Sequence, residues 1–263
     1  MEIAFKNIVY NDKTINFSLS SNEIIGITGK QTENLLSLIA LDNLLEGTIL
    51  YNNTKLDKNN RNEYFRKISY VKAEFEKMPY INTVKEIMEF VIEYYRLQIK
   101  DINKKMKDSL KIVGLEDIYL DRLLSTLSKS ELKLIQIAIS LLSNPEVLIL
   151  EEPFVDLDNK NEKRIYMLLL RLKEQYHKLI IIGSEDSNML HKYTTKMLFI
   201  KNGEILLEGQ TQAVYQRVDF LKRNGFAIPE IIMLTYKANK EKNANIDYHK
   251  DIRDIIKDIY KHV

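Results

Sequence analysis

The 263-residue sequence contains no cysteine, which excludes disulfides and thiolate chemistry and suits a reducing compartment. Long apolar runs are also missing. The longest, such as VLIL at 147–150 and LIII at 179–182, fall far below the roughly 18 residues of a membrane span. Neither sign of charge is in excess: 39 basic against 37 acidic residues leave a formal +2, too little for the field of a nucleic-acid binder. His177, His191, His249 and His262 are scattered, and no His/Asp/Glu spacing marks a transition-metal site. No Ser-His-acid grouping and no solenoid-length repeat is legible. The segment MEIAFKNIVYNDK carries charges throughout and lacks the apolar centre of a signal peptide. These absences lead us to expect a soluble, cytoplasmic chain that meets a membrane only through a partner or a surface.

What is present is the balance of a globular protein: 45% hydrophobic and 29% charged residues, enough for one large domain with or without an appendage. EIAF and TINFSL alternate as short strands, and EIIGIT is a buried strand ending in Gly29. Asn34 to Leu45 has apolar residues at helical spacing. GTILYN is a further strand, followed by a polar loop, NNTKLDKNNRNEYF, and by the strand ISYV at 68–71. Thr83 to Leu124 turns helical, with VKEIMEFVIEYYRL its clearest amphipathic stretch. LKLIQIAISLL, NPEVLIL, RIYMLLLRLKEQY, KLIIIG and MLFIKNGEILLEG then alternate helix, strand, helix, strand and hairpin. Such alternation indicates a mostly parallel sheet covered by helices, and EVLIL and KLIII are apolar on both faces, as its central strands must be.

After Gly209 the character changes. A Pro, a Lys/Asn-rich linker and a last helix with Ile252, Ile255, Ile256 and Ile259 on one face suggest a small appendage. That face serves either a dimer contact or packing on its own domain. The Lys-rich tail is interspersed with Asp and Glu and reads as a solvated helix. The 15 tyrosines fall mainly on amphipathic helices, where core packing is the default.

A strand-Gly-helix unit, a helical insertion, LSKSE, NPEVLILEEP, LD, GSED and KNGEILLEG follow one another in this order. The series resembles the nucleotide-binding subunit of an ABC transporter over about residues 2–209, and NPEVLILEEPFVDLD is its most specific piece. VDFLKRNGFAIPEIIMLTYK and ISYVKAEFEKMPYINTVKEI are similar to energy-coupling factor (ECF) ATPases. The resemblance implies an α/β fold of the ABC ATPase type. It would have a mostly parallel sheet with helices on both faces, an antiparallel β part and a helical subdomain at about 74–130. Residues 1–210 would form the nucleotide-binding-type domain and 211–263 an ECF-like extension. It also implies two subunits head to tail around ATP and Mg²⁺, each site completed by the signature of the other chain.

GITGKQTENLLSLIAL, Gly26 to Leu41, stands where that family wraps a phosphate in backbone N–H groups and reaches it with a lysine. Five residues separate Gly29 from the Leu35-Leu36 pair, where the family has eight. No lysine, serine or threonine is expected at the helix start. Glu33 and Asn34 stand there, Glu33 facing where phosphate would sit or simply complementing the helix dipole. Lys30 comes too early to serve. Losing three or four charge-assisted hydrogen bonds, about 1.5–3 kcal/mol each, removes on the order of 5–10 kcal/mol. At about 1.4 kcal/mol per tenfold, micromolar binding moves beyond millimolar.

The other positions follow by the same resemblance. LSKSE replaces LSGGQ: Ser128 survives to meet a partner's γ-phosphate, while Lys129, Ser130 and Glu131 replace Gly, Gly and Gln. The bland reading is a capping box, S-x-x-E, which starts the helix without any ligand. Glu151 falls on the Mg²⁺-binding acid, Glu152 on the catalytic base that orients water and Asp158 on the D-loop, unless the acid pair is plain surface. Ala73 replaces the Q-loop glutamine and Glu185 the switch histidine, whose donor a carboxylate cannot supply. Tyr10 stands at the adenine-stacking aromatic, or only packs.

The resulting expectation is a degenerate, pseudo-ATPase subunit of an ECF-type vitamin or metal-ion importer, at the inner face of the membrane through its partners. It would pair with a competent second ATPase and bind a transmembrane coupling subunit in a groove around residues 70–100. The alternatives are a non-catalytic scaffold or regulator on the same fold, an exporter ATPase, and a weak ATPase with a rearranged loop.

Overall fold

The computed structural model describes residues 1–263 except 11, 22, 31, 41–45, 58, 77, 243–245, 250 and 263. The chain opens with β1 (Glu2–Tyr10), β2 (Lys13–Ser20) and β3 (Ile24–Gly29), then α1 (Thr32–Ile39), β4 (Thr48–Tyr51), β5 (Thr54–Lys55) and α2 (Arg61–Phe65). β6 (Ile68–Val71), α3 (Val84–Tyr94), α4 (Ile102–Val113) and α5 (Lys129–Ser140) follow. β7 (Val147–Glu151), α6 (Asn159–Tyr176), β8 (Leu179–Gly183), α7 (Ser187–Tyr193), β9 (Lys196–Lys201) and β10 (Glu204–Gln210) complete the sheet. α8 (Thr211–Tyr215), α9 (Val218–Asn224), α10 (Glu230–Lys242) and α11 (Ile252–His262) end the chain.

Six strands in the order β10-β9-β3-β8-β7-β6 form the main sheet, parallel except for the β9–β10 hairpin. A second, antiparallel sheet has the order β2-β1-β4-β5. Side chains alternate across a strand, so the apolar runs feed two cores. Leu148, Leu150, Ile180, Ile182 and Phe199 face one side, with buried residues of α3 to α6 and of the C-terminal helices. Val147, Ile149, Ile181, Leu198 and Ile200 face the other, against Leu35 and Leu36 of α1 and Phe5 and Phe17 of the small sheet. Phe5 and Phe17 are cross-strand partners stacked 4.4 Å apart.

Three local expectations are corrected. α1 begins at Thr32 rather than Asn34 and ends at Ile39, while 41–45 lie outside the described residues. The polar stretch after β4 holds a two-residue strand and α2, seated by the buried Tyr64. The helical stretch 83–124 is two α-helices followed by a 3-10 turn at Asp117–Asp121 and the start of a second at Leu124. α3 starts on a Thr83–Glu86 capping box, and α4 stops at Gly114, whose left-handed φ of 86° permits the reversal.

The tail folds back. Ile232 and Thr235 of α10 and Ile255 of α11 are buried, and Asn239 exchanges two hydrogen bonds with the backbone of Ile246, each 2.7 Å. Ile252 and Ile256 stay exposed on α11, and the side chain of Ile259 lies outside the described residues. Among the described residues, no helix is long and apolar enough to cross a membrane.

Candidate functional site

The parallel register sets the carboxyl ends of β3, β8, β7 and β6 side by side, with Glu151 opposite Gly183. Such strand ends are where open α/β sheets hold ligands. They carry Gly29, then Ser184 and Glu185, then Glu151 and Glu152, then the loop through Ala73.

At the first end, Gly29 has φ 130°, and a Cβ there would stand 1.9 Å from the carbonyl oxygen of Ile200, so only glycine fits. Three residues later α1 begins. Thr32 opens it, correcting the expectation that no serine or threonine stands at the helix start. Its hydroxyl turns back and donates to the Gly29 carbonyl at 2.7 Å. α1 also sits directly on β8: a Cβ on Gly183 would meet Leu36 Cδ1 at 2.4 Å. Glu33 lies exposed in the first helical turn, complementing the dipole, and Lys30 is exposed in the turn before it.

The acid pair is engaged within the chain. Glu151 Oε2 accepts from the Tyr70 hydroxyl at 3.1 Å and from the Ala73 N–H at 3.2 Å. Glu152, in left-handed backbone at φ 45°, turns toward the switch loop. Its Oε2 accepts from the Ser184 hydroxyl at 2.6 Å and its Oε1 from the Glu185 N–H at 2.8 Å. The Glu185 side chain itself is exposed. Beneath the pair, Lys133 of α5 is 3% exposed and donates to the Ala73 carbonyl at 2.5 Å. Burial pulls its pKa down, against the raising fields of Asp156, Glu151 and Glu152.

At the signature position the capping box is complete. Ser128 Oγ accepts from the Glu131 N–H at 3.2 Å, while Glu131 Oε2 accepts from the Ser128 N–H and from its hydroxyl, each at 2.8 Å. The Tyr119 hydroxyl adds a 2.5 Å bond to Glu131 Oε1, and Arg122 lies 3.6 Å from the same oxygen. The Tyr119 bond, then the Ser128 N–H, hold the Glu131 carboxyl below its ordinary range. Lys129 and Ser130 are the first two helical residues after the cap, Lys129 exposed. Asp158 caps α6, accepting from the Asn161 N–H at 2.7 Å. Tyr10 is 5% exposed in the core of the small sheet, so its ring packs rather than offering a face to adenine.

Beside the strand ends, a cavity of about 310 Å³ opens between the loop after β6, α3 and α5. Tyr70, Phe75, Met78, Ile87 and Tyr95 are in its lining. Its lining overlaps the span 70–100 expected for a coupling groove and also takes in Gln136, Ile139 and Ser140 of α5.

The sequence model of the ABC transporter family matches residues 13–155, more than half of the chain. The chain belongs to the ABC transporter family. Curated relatives of this ABC chain include a putative ABC transporter ATP-binding protein of Pyrococcus furiosus, 28% identical over 91% of this chain and 89% of the relative. An energy-coupling factor transporter ATP-binding protein of Clostridium tetani is 28% identical over 88% and 83% of the two. Among solved structures, the cbiO1 protein of Clostridium perfringens, part of the transporter complex cbiONQ, aligns with a TM-score of 0.71 at 22% identity. That alignment covers 89% of this chain and 98% of the other. A dimeric ATP-binding cassette bound to ADP and phosphate aligns with a TM-score of 0.70 at 23% identity, over 80% and 98%.

The ABC family implies ATP and Mg²⁺. Among the described residues, the junction of β3 and α1 does not fit a triphosphate in that family's manner: the buried Thr32 hydroxyl donates to Gly29, and a carboxylate occupies the first helical turn. Among the described residues no group of three metal-ligating side chains converges. Sequence reasoning missed Thr32, Tyr70, Ser184 and Lys133. A lysine inside the apolar run LKLIQIAI was the one available signal, because a buried ammonium needs a reason.

Proposed function

We propose that this ABC chain is a degenerate cassette subunit of an ECF-type importer for a vitamin or metal ion, working beside a competent ATPase subunit and a transmembrane coupling subunit. The observation that carries it is the short Gly29-to-Thr32 link in an otherwise intact fold. The cores, the parallel sheet and the coupling-side cavity are kept, while the residues that would grip a triphosphate are absent or turned inward. Relatives named as energy-coupling factor ATPases, aligned over 88% and 94% of this chain, support the importer class. A homodimer would hold two inactive sites, so a competent partner follows from the proposal. Residues 211–263 would contribute the dimer contact through the exposed Ile252 and Ile256.

One observation favours a second reading, a scaffold or regulator. The Ser128 hydroxyl proton is committed to Glu131 rather than presented outward. A complex purified through this chain separates the two. In an importer, its ATP hydrolysis stops on Ser128→Arg, because this serine completes the partner's site. In a scaffold, the same change leaves hydrolysis unaltered.

A further inference from the structure

The geometry points to Lys133 as a resident counter-ion for the carboxylates at the end of β7, filling the charge role that a divalent cation has in a working cassette. The inference rests on the reading above, that this chain does not operate on a metal–nucleotide complex.

A lysine 3% exposed on an apolar helix must find compensation for its lost hydration. Among the described residues no carboxylate lies within 4.0 Å of its ammonium, so it is not half of an ordinary ion pair. It instead shares Ala73 with Glu151. The lysine binds the Ala73 carbonyl and the carboxylate binds the Ala73 N–H, one residue joining opposite charges through its two backbone groups. The fields of Asp156, Glu151 and Glu152 all act on the ammonium. A magnesium ion at this strand end would answer the same charges, and a fixed ammonium beneath them lowers the attraction for any added cation.

The same face of α5 makes a second tie. Gln136, three residues beyond Lys133, donates to the carbonyl of Glu74 at 3.0 Å. Two successive carbonyls of the loop after β6 are therefore held by α5. Where a working cassette positions this loop with a glutamine of the loop and a metal, this chain ties the loop's backbone to α5 through the side chains of Lys133 and Gln136.

The test is Mn²⁺ binding to the full chain without nucleotide, followed by electron paramagnetic resonance. Wild type and Lys133→Arg should bind weakly and alike, and Lys133→Gln at least tenfold more tightly. Equal binding by wild type and Lys133→Gln overturns the inference. Thermal melting of a second variant guards against failed folding: Lys133→Gln/Asp156→Asn should melt above Lys133→Gln alone, because a carboxylate left unbalanced has been removed without breaking the hydrogen bonds of Glu151 and Glu152. A double variant that melts no higher also overturns it. The two readings fail separately, since ATP uptake by wild type in excess EDTA contradicts the lost phosphate grip and says nothing about Mn²⁺.

Discussion

The hydroxyl of Thr32 donates to the carbonyl of Gly29 across 2.7 Å, tying the start of α1 to the end of β3 where a phosphate loop would otherwise intervene. On the proposed reading, restoring single side chains around that tie restores no turnover. Glu185→His returns the switch histidine but no phosphate grip, and phosphate release by the purified chain should stay at background. Turnover above background would show that the β3–α1 link is not the limiting loss.

Gly29→Ala should be among the most damaging small substitutions. It combines a φ of 130° with a Cβ 1.9 Å from the Ile200 carbonyl. Strain plus clash predict a loss of about 2–4 kcal/mol, read from urea unfolding midpoints.

The capping box gives a pH dependence with a fixed sign. Glu131 is held below its ordinary range by Tyr119 and the Ser128 N–H, so its folded pKa lies under its unfolded one. Its stabilisation is therefore complete above about pH 4.5 and is lost as pH falls through the folded pKa. Glu131→Gln should flatten that part of the acid unfolding curve, and Ser128→Ala should cost about 1 kcal/mol.

Ser184→Ala removes the donor to Glu152 Oε2 and the acceptor for the Asp186 N–H. A loss of about 1.5–3 kcal/mol is expected, since one bond is charge-assisted and Ser184 is buried. Thermal melts against Ser184→Thr, which keeps the hydroxyl, check this.

Ile252→Asp and Ile256→Asp alter exposed residues of α11, whereas Ile255 is fully buried. The first two should dissociate a dimer in sedimentation with the melting temperature nearly unchanged. Ile255→Ala should instead lose about 2–5 kcal/mol.

The fold was legible wherever a run was long and its pattern simple. EVLIL and KLIII became β7 and β8 because residues apolar on both faces fit only a covered sheet. The S-x-x-E cap also formed where its spacing placed it. The start of α1 was not legible, because Thr32 joins the helix through a bond to a residue before it rather than through helical periodicity. Lys133 escaped notice because a polar residue within an apolar run declares neither its partner nor its depth. The link to Ala73, 60 residues away, exists only once α5 packs beside β6.

The most direct measurement is calorimetric titration of the purified chain with ATP and Mg²⁺. The account predicts no binding heat up to about 2 mM nucleotide, the range expected once several charge-assisted contacts are gone. A micromolar dissociation constant would contradict it, and the Gly29-to-Thr32 link would then have to be a phosphate site of a different kind.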